Sequence, residues 1–160
     1  MLIRPAASTD LPQVRSLWNA MIRDTTATFT TILKTDEDLA ALLVQRERAF
    51  LIAEVANGCA GFITWGPFRA GPGYAHTAEH SIITAHPGTG VGSALMAAAI
   101  DEARAQGIHV MIACIGSENP GAIAFHRRMG FALAGQLPQV GRKSERWHDL
   151  IVMSRIIADP

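Results

Sequence analysis

Residues 86–131 read HPGTGVGSALMAAAIDEARAQGIHVMIACIGSENPGAIAFHRRMGF, and this stretch decides the fold of the chain. A glycine-rich turn comes directly before an alanine-rich helix that we expect to begin at about Val91. An apolar strand follows, then a polar break at residues 117–120, and then a short helix that ends near Gly130-Phe131. This order predicts a pocket for a phosphorylated cofactor at the N-terminus of the first helix.

The turn itself contains three alternating glycines, Gly88, Gly90 and Gly92. Glycine accepts positive φ and lets the backbone approach a ligand, and the first turn of a helix adds unpaired N–H donors. A pyrophosphate fits such a turn, although a loop that closes tightly on a helix has the same pattern. No Gly-Lys-Ser/Thr follows, which excludes a Walker loop, and the acidic residue of a dinucleotide-binding fold is missing.

Composition restricts the class of protein. A chain of 160 residues fits one domain, spanning 1–160, with a core of its own. Hydrophobic residues make up 49% and charged residues 18%, which excludes a disordered chain. Lys+Arg and Asp+Glu both number 14, so we predict no nucleic-acid partner. No apolar run approaches the roughly 18 residues that span a membrane, and no signal peptide is evident. We therefore expect no membrane partner and a cytoplasmic protein.

Two cysteines and six histidines raise the question of a metal site. Cys59 and Cys114 lie in apolar segments far apart in the sequence; they could pair or bind a metal, but we expect two buried free thiols. His76 and His80 lie four residues apart in a strand-like run, where such residues need not converge. We predict no metal site.

The N-terminal part predicts a short strand at residues 3–5 and two helices. Asp10 and Gln13 form a predicted capping box at the start of the first helix, and Thr35 followed by Asp38 opens the second. Apolar residues at helical spacing give the inward faces: Leu11, Val14, Leu17, Trp18, Met21 and Ile22, then Leu39, Leu42 and Leu43. A loop at residues 25–31 joins the two helices.

Hairpins come next, and strands that alternate with helices follow. Asn57-Gly58 is a strong hairpin signal between two apolar segments. We expect strands at residues 50–55, 59–65, 74–84, 110–115, 132–137 and 147–157, and helices from about Val91 to Gly107 and over residues 121–129. A charged loop separates the last two strands. This order predicts an α/β fold on a mixed sheet.

The order of the whole segment resembles the GNAT acyl-CoA N-acetyltransferases. Their cofactor loop reads Gln/Arg-x-x-Gly-x-Gly/Ala, which residues 87–92 match, and Asn119, His126 and Gly130-Phe131 match as well. Pro87 departs from the pattern, because it offers neither a side-chain donor nor an N–H at the usual Gln/Arg position. The resemblance implies acetyl-CoA as co-substrate. It also implies the GNAT fold: a mixed, mostly antiparallel sheet with splayed middle strands and about four helices.

Other matches in order narrow the resemblance to the phosphinothricin and methionine-sulfoximine acetyltransferases, which acetylate the α-amine of small amino-acid analogues. The matching segments are residues 26–29 (TATF), Phe68-Arg69, Tyr74 with residues 77–79 (TAE), and residues 140–143 (VGRK) with Arg146-Trp147. The resemblance therefore covers nearly the whole chain. It implies a small-molecule amine as acceptor and a homodimer.

Acetyl transfer from a thioester to an amine needs a base, an oxyanion donor and, for the leaving thiolate, a proton. Glu79, in the Thr-x-Glu match, is the candidate base; the alternative is an outward strand glutamate paired with a cation. His126 stands where many GNAT enzymes place a tyrosine, and as an imidazolium it could protonate the thiolate. A histidine that is only packed in a short helix is the alternative.

The remaining site residues are implied by the resemblance. Those for the cofactor are Ile82, Ile83, Gly88, Thr89, Gly90, Val91, Gly92, Ser93, Asn119, Gly121, Ala122 and Phe125; Asn119 could also cap the helix that begins at Pro120. Those for the acceptor are Phe29, Arg69, Tyr74, Thr77, Lys143 and Trp147. Arg69 could grip an acceptor carboxylate, but Gly71 stands where the family often has a second cation. In relatives, the loop that holds Lys143 reaches a neighbouring subunit's site; a solvated charge run is the alternative.

We therefore expect an acetyl-CoA-dependent N-acetyltransferase that uses direct attack, with no covalent enzyme intermediate. The acceptor is an amino acid or analogue, of the phosphinothricin or methionine sulfoximine/sulfone type. A GNAT enzyme for an unrelated amine or a protein N-terminus is the nearest alternative. A non-catalytic acyl-CoA-binding sensor is the other, and the presence of Glu79 and His126 argues against it.

Overall fold

The computed structural model describes residues 1–56 and 58–158, which form seven strands and four α-helices. The strands are β1 (Leu2–Pro5), β2 (Phe50–Val55), β3 (Gly58–Pro67), β4 (Thr77–Thr84), β5 (Val110–Gly116), β6 (Ala132–Lys143) and β7 (Arg146–Ile156). The helices are α1 (Leu11–Asp24), α2 (Asp36–Arg46), α3 (Val91–Ala105) and α4 (Pro120–Arg128).

The strands form one sheet in the order β1-β2-β3-β4-β5-β7-β6. Neighbouring strands are antiparallel except for β4 and β5, which are parallel. The register of this parallel pair runs only from Thr77–Val110 to Glu79–Ile112. Beyond these residues, within the described chain, both strands continue without pairing to each other, so a gap opens between them. The predicted mixed, mostly antiparallel sheet with splayed middle strands is confirmed.

Two hydrophobic cores cover the two faces of the sheet. On one face α3 packs through buried residues that include Leu95, Met96 and Ala99. On the other face α1 and α2 pack through Val14, Ile22 and Leu39, among others. Side chains alternate along a strand, so β4 sends Ala78 and Ile82 towards α3 and Ile83 towards α1. Glu79 therefore lies on the α1–α2 face, and His80 lies on the α3 face.

The two predicted helix starts have different outcomes. The Thr35–Asp38 capping box is confirmed, because each side chain accepts the other residue's backbone N–H at 3.1 and 2.9 Å. Asp10 does precede α1, but its capping box with Gln13 is wrong. The Asp10 carboxylate instead binds both arms of the Arg4 guanidinium at 2.9 Å, a stronger, charge-assisted pairing. This pairing lowers the pKa of Asp10 below its usual value.

Two predicted boundaries differ from those of the structure, and a predicted turn lies partly outside the described residues. Tyr74 lies in a short 3-10 turn at Pro72–Tyr74, so β4 begins three residues later than predicted, after the Gly-Pro-Gly sequence has turned the chain. The charged loop between the last strands shrinks to Ser144-Glu145, whose φ angles of 51° and 60° suit a two-residue hairpin. Of the predicted Asn57-Gly58 turn, Asn57 lies outside the described residues.

Candidate active site

The gap between β4 and β5 opens into a cavity of about 980 Å³. The α1–α2 side contributes Trp18, Met21, Ala27, Thr28, Phe29, Thr30 and Lys34. The strands contribute Glu79, His80, Ser81, Ile82, Ile83, Thr84, Ala113, Cys114, Ile115 and Leu150. The turn before α3 and the helix α4 complete the wall with His86, Pro87, Gly88, Gly90, Gly92, Ser93, Asn119, Gly121, Ala122, Ala124, Phe125, His126 and Arg128.

The glycine turn presents the open N-terminus of α3 to this cavity. Gly88 and Gly90 have φ angles of 81° and 82°, which only glycine adopts readily. Among residues 1–56 and 58–158, no side chain caps α3, and its first intrahelical bond runs from the Ala94 N–H to the Gly90 carbonyl. The N–H groups of the first turn therefore point towards the cavity end without a side-chain acceptor, as an anion site requires.

Two residues predicted to bind the cofactor do not line the cavity. The Thr89 hydroxyl donates to the His86 carbonyl at 2.9 Å and closes the turn. The Val91 side chain is buried in the α3 core. Their neighbours Gly92 and Ser93 do line it, and a Cβ at Gly92 would lie 3.3 Å from the Phe125 ring. Glycine at this position therefore allows α3 to approach α4 closely.

Asn119 holds the start of α4 at the opposite wall. Its side-chain oxygen accepts the Ala122 N–H at 3.1 Å, so the N-cap alternative is confirmed. Asn119, Gly121, Ala122 and Phe125 all line the cavity, as do Ile82 and Ile83 on β4. Ten of the twelve residues predicted for the cofactor thus meet around one space.

Glu79 is the last residue of β4 that pairs with β5, and its side chain reaches the cavity where the gap begins. Among the ion pairs of residues 1–56 and 58–158, none involves Glu79, so the cation-paired alternative is not observed. Cys114 lies beside it on β5. Burial, with a contribution from the Glu79 carboxylate, raises the pKa of the Cys114 thiol to about 12. Cys59 and Cys114 are both free, as expected, but only half-buried.

A pair of buried histidines lies at the same fork on the α3 side. The Nε2 atoms of His80 and His126 are 3.0 Å apart, and His126 Nδ1 is 2.7 Å from the Ala122 carbonyl. Because a carbonyl only accepts, His126 carries its proton on Nδ1, and its Nε2 accepts from His80. From the sequence, His80 is a candidate only for the metal site that we do not expect. Strand alternation places His80 on the face of β4 opposite Glu79.

Burial keeps both histidines neutral. It lowers the pKa of His80 to about 3, with a smaller effect of the neighbouring His126, and it lowers the pKa of His126 below its usual value. The expected imidazolium at His126 is therefore disfavoured by desolvation. The His126 ring also packs edge-on against Phe125 and Phe131, in line with the packed-residue alternative.

The residues predicted for the acceptor are mostly not brought together. Phe29 alone among them lines the cavity. Arg69 lies over the Phe68 ring at 5.4 Å, and Tyr74 packs edge-on against the same ring. Thr77 begins β4 outside the cavity, and Trp147 is 59% exposed beside Arg142. Lys143 is buried, and its ammonium binds backbone carbonyls of its own chain, so it does not reach the cavity.

Lys34 and Arg128 are cavity-lining cations that no sequence motif predicts. Lys34 is fixed by Asn19, whose side chain exchanges hydrogen bonds of 2.8 and 3.0 Å with the Lys34 backbone. Its ammonium lies 5.2 Å from the centre of the Trp18 ring. Among the described residues, no group of three or more His, Cys, Asp or Glu side chains could hold a metal ion.

Comparison with known families agrees with this geometry. The profile of the acetyltransferase (GNAT) family matches residues 14–131, which include most of α1, the sheet fork, the glycine turn and α4. This chain belongs to the GNAT acetyltransferase family. Within the part of this GNAT chain that the structure describes, no helix is both long and apolar enough to cross a membrane.

Curated GNAT relatives are acetyltransferases of amino-acid analogues. The L-methionine sulfoximine/L-methionine sulfone acetyltransferase of Pseudomonas aeruginosa is 41% identical, over 94% of this chain and 91% of the relative. The phosphinothricin N-acetyltransferase of Streptomyces viridochromogenes is 31% identical, over 92% of this chain and 83% of the relative. The resemblance to this branch of the family is confirmed.

Solved GNAT structures share the whole fold. The Salmonella typhimurium acetyltransferase yncA, solved with acetyl-CoA as its cofactor, is 34% identical, with a TM-score of 0.94 over 100% of this chain and 95% of its own. A ribosomal-protein-alanine N-acetyltransferase from Brucella melitensis is 38% identical, with a TM-score of 0.93 over 98% of this chain and 99% of its own. The GNAT fold predicted from the sequence is confirmed.

Proposed function

We propose that this GNAT acetyltransferase moves an acetyl group from acetyl-CoA to the α-amine of a small amino acid or analogue. Methionine sulfoximine, methionine sulfone and phosphinothricin are the leading acceptors, because they are the substrates named for its relatives. The observation that carries the proposal is that one cavity joins the open N-terminus of α3 to the Glu79 carboxylate. An anion site and a free base are what the two ends of this reaction need.

The residues at the α3 end fit the co-substrate. The uncapped first turn of α3 and the glycines before it supply N–H donors for a pyrophosphate. Ile82 and Ile83 lie on the part of β4 that β5 leaves unpaired, so backbone groups there are available to the pantetheine arm. Asn119 lies across the gap from them. When bound, acetyl-CoA supplies a thioester that an amine can attack.

Glu79 acts as the general base in this proposal. An α-ammonium group, with a pKa of about 8, must lose a proton before its nitrogen can attack. The Glu79 carboxylate lies in the cavity, forms no ion pair with any residue that the structure describes, and can accept that proton, directly or through water. Neither His80 nor His126 has a free N–H for the leaving thiolate, since one donates to the other and His126 Nδ1 donates to Ala122. The histidine pair thus shapes the site and does not act as its acid.

The acceptor binds on the α1–α2 side of Glu79 in this proposal. Trp18, Met21 and Phe29 give this end of the cavity an apolar wall. The ammonium of Lys34 is the cation that would bind an acceptor carboxylate, in the role predicted for Arg69. Lys34 lines the cavity and Arg69 does not, which favours Lys34.

The proposal also includes a homodimer in the cytoplasm, where acetyl-CoA is available. Strand β6 is an edge of the sheet, and edges with exposed apolar side chains favour pairing. Large apolar side chains are exposed along β6 and β7: Leu133, Leu137, Val140, Trp147 and Ile156.

Release of free thiol from acetyl-CoA tests the proposed reaction. The panel contains methionine sulfoximine, methionine sulfone, phosphinothricin and the common amino acids. It also contains peptides that begin with alanine, because one similar structure is a ribosomal-protein-alanine acetyltransferase. We expect the fastest release with a methionine or glutamate analogue. Faster release with the peptides would favour the protein N-terminus, and acetyl-CoA binding without release for any amine would favour a sensor.

Replacement of the base gives the first mutational prediction. Glu79→Gln keeps the shape of the side chain and removes its basicity, so turnover should fall by roughly 10²–10⁴. The measurement is kcat at neutral pH with saturating substrates. Glu37→Gln, on the exposed first turn of α2, is the control and should leave kcat unchanged. An unchanged kcat in Glu79→Gln would remove Glu79 from the role of base.

A further inference from the structure

A buried lysine lies beneath the loop that covers the acceptor end of the cavity. Lys143, at the end of β6, is only 7% exposed. Its ammonium donates to the backbone carbonyls of Ile22 at 2.6 Å, Thr25 at 2.7 Å and Thr28 at 2.9 Å. An ammonium has three N–H donors, so all of them are used. No ion pair of Lys143 occurs among the described residues, so these three carbonyls are what compensates the buried charge.

The three carbonyls belong to the end of α1 and to the loop after it. Ile22 lies in the last turn of α1, where carbonyls have no partner within the helix and carry the negative end of the helix dipole. Thr25 and Thr28 lie in the following loop. One ammonium therefore caps α1 and also fixes the path of the loop that leaves it.

This loop forms one wall of the cavity. Ala27, Thr28, Phe29 and Thr30 all line the cavity, whereas Lys143 does not. The carbonyl of Thr28, one residue before Phe29, is one of the three that the ammonium holds. The Lys143 ammonium thus holds this wall from the side that faces away from the cavity, where it cannot contact a ligand.

The hairpin of β6 and β7 also fixes the Phe29 ring. This ring stacks on His148 with the centres 5.5 Å apart, and His148 Nε2 donates to the Lys143 carbonyl at 3.0 Å. The ring fills the space that a Cβ at Gly141 would take, and it lies 3.4 Å from the position of a Cβ at Gly116. Phe29 therefore occupies a slot, the Gly141 slot, that exists because Gly141 and Gly116 have no side chains.

We propose that Lys143 is a positioning residue for acceptor selectivity: it holds residues 25–30, with Phe29 in the Gly141 slot, in the shape that fits the acceptor. This inference rests on the proposed function, because the cavity wall that Lys143 holds is the proposed acceptor site. It gives Lys143 a role without contact to the acceptor, in contrast to the substrate-binding role predicted from the sequence.

Lys143→Met tests the role of the ammonium, because methionine keeps the apolar part of the side chain and loses the three donors. Misplacement of a binding wall by about 1 Å reduces rates by up to about 100-fold, so kcat/KM for the acceptor should fall about 10- to 100-fold. The KM for acetyl-CoA should stay the same, since the α3 end of the cavity is untouched. Arg142→Met, the exposed neighbour on β6, is the matched control and should change neither constant.

Gly141→Ala tests the slot with Lys143 intact. Its added methyl group overlaps the Phe29 ring, and Gly141 has no positive φ that would strain an alanine. The same selective loss of kcat/KM for the acceptor is expected. An unchanged kcat/KM in either variant that folds, or an equal loss of affinity for acetyl-CoA, would overturn the proposal. If Lys143→Met does not fold, Gly141→Ala decides.

Hydrogen exchange separates this inference from the proposed function. Exchange in residues 25–30 should accelerate in Lys143→Met relative to Arg142→Met, and this measurement needs no substrate. If the wild-type protein acetylates no amine, the proposed function fails. The exchange data still test whether Lys143 holds residues 25–30. Unchanged exchange in Lys143→Met would overturn the positioning role of Lys143 even in an active enzyme.

Discussion

At the scale of single residues, the two histidines at the fork differ most from their expected chemistry. His80 and His126 are close enough to share a hydrogen bond at 3.0 Å, yet both lie where water cannot solvate a charge. Protonation of either ring would bury a cation without solvent, and protonation of both would place two cations at that distance. The pair is therefore stable only when neutral, and its protonation is coupled to unfolding.

The stability of the protein should consequently depend on pH. Burial lowers the pKa of His80 from 6.5 to about 3, so between these values the unfolded chain binds a proton that the folded chain does not. The free energy of unfolding should rise with pH up to about 6.5, at up to about 1.4 kcal/mol per pH unit for this histidine, and then level off. His126, whose pKa is also lowered, contributes in the same direction.

His80→Gln tests this dependence, because glutamine can still donate to His126 but does not titrate. Denaturant unfolding at pH 4.5, 5.5, 6.5 and 7.5 should show a slope that is smaller than the wild-type slope by about one proton. His109→Gln, at an exposed position, should keep the wild-type slope. Equal slopes in His80→Gln and the wild type would contradict a neutral buried His80.

At the scale of elements, the turn before α3 carries one departure from its family. Pro87 lines the cavity beside the open end of the helix, but it offers neither an N–H nor a polar side chain there. Position 87 therefore contributes no donor to an anion at this end of the cavity. Since Pro87 precedes α3 by four residues, it can be replaced without a change inside the helix.

Pro87→Arg should strengthen binding of the co-substrate. The added guanidinium brings a charge-assisted donor to the phosphate end, so the KM for acetyl-CoA should fall by about 3- to 10-fold, and less at high salt. Pro87→Ala is the matched control, because it restores the N–H alone. If neither variant changes the KM, position 87 does not face the pyrophosphate.

Elements were predictable where their signals are local. The Thr35–Asp38 capping box and the glycines before α3 involve residues within a few positions of each other, and both were found. The sequence predicts a local cap at Asp10 because the competing partner, Arg4, becomes available only when β1 has packed beside it. Tyr74 was placed in a strand because its apolar, aromatic character outweighed the turn before it.

The same distinction applies to the site. The proposed cofactor end is built from two short segments, residues 88–93 and 119–125, so its pattern is local in the sequence. The proposed acceptor end depends on contacts such as Lys143 to Ile22, which are 121 residues apart. Motif matching named Lys143 and Phe29, but only the folded chain shows that one lies behind the wall formed by the other.

At the scale of the whole molecule, the two edges of the sheet are unequal. Strand β1 has four residues, whereas β6 has twelve and exposes Leu133, Leu137 and Val140. A long apolar edge is unfavourable in a monomer because it invites pairing with another chain. The proposed homodimer would cover this edge.

Leu137→Lys should therefore weaken the dimer, because a charge would be buried in the proposed interface. Sedimentation velocity at micromolar concentration should show a dimer for the wild type and a shift towards monomer for the variant. Leu2→Lys, at an exposed leucine on the β1 edge, is the control and should remain dimeric. A wild-type monomer, or a variant that stays fully dimeric, would refute association through β6.

The brief pairing of β4 with β5 also has a mechanical consequence. Strands β1 to β4 form one part of the sheet and β5, β7 and β6 form the other, and the two parts are joined by only three residue pairs. The β4–β5 junction can therefore act as a narrow hinge between two rigid parts. Small rotations about this hinge change the width of the cavity and leave the hydrogen bonds within each part of the sheet intact. We expect opening and closing of the cavity between β4 and β5 to be the large-scale motion that needs the least energy in this molecule. A ligand that spans the cavity would then stiffen the whole sheet.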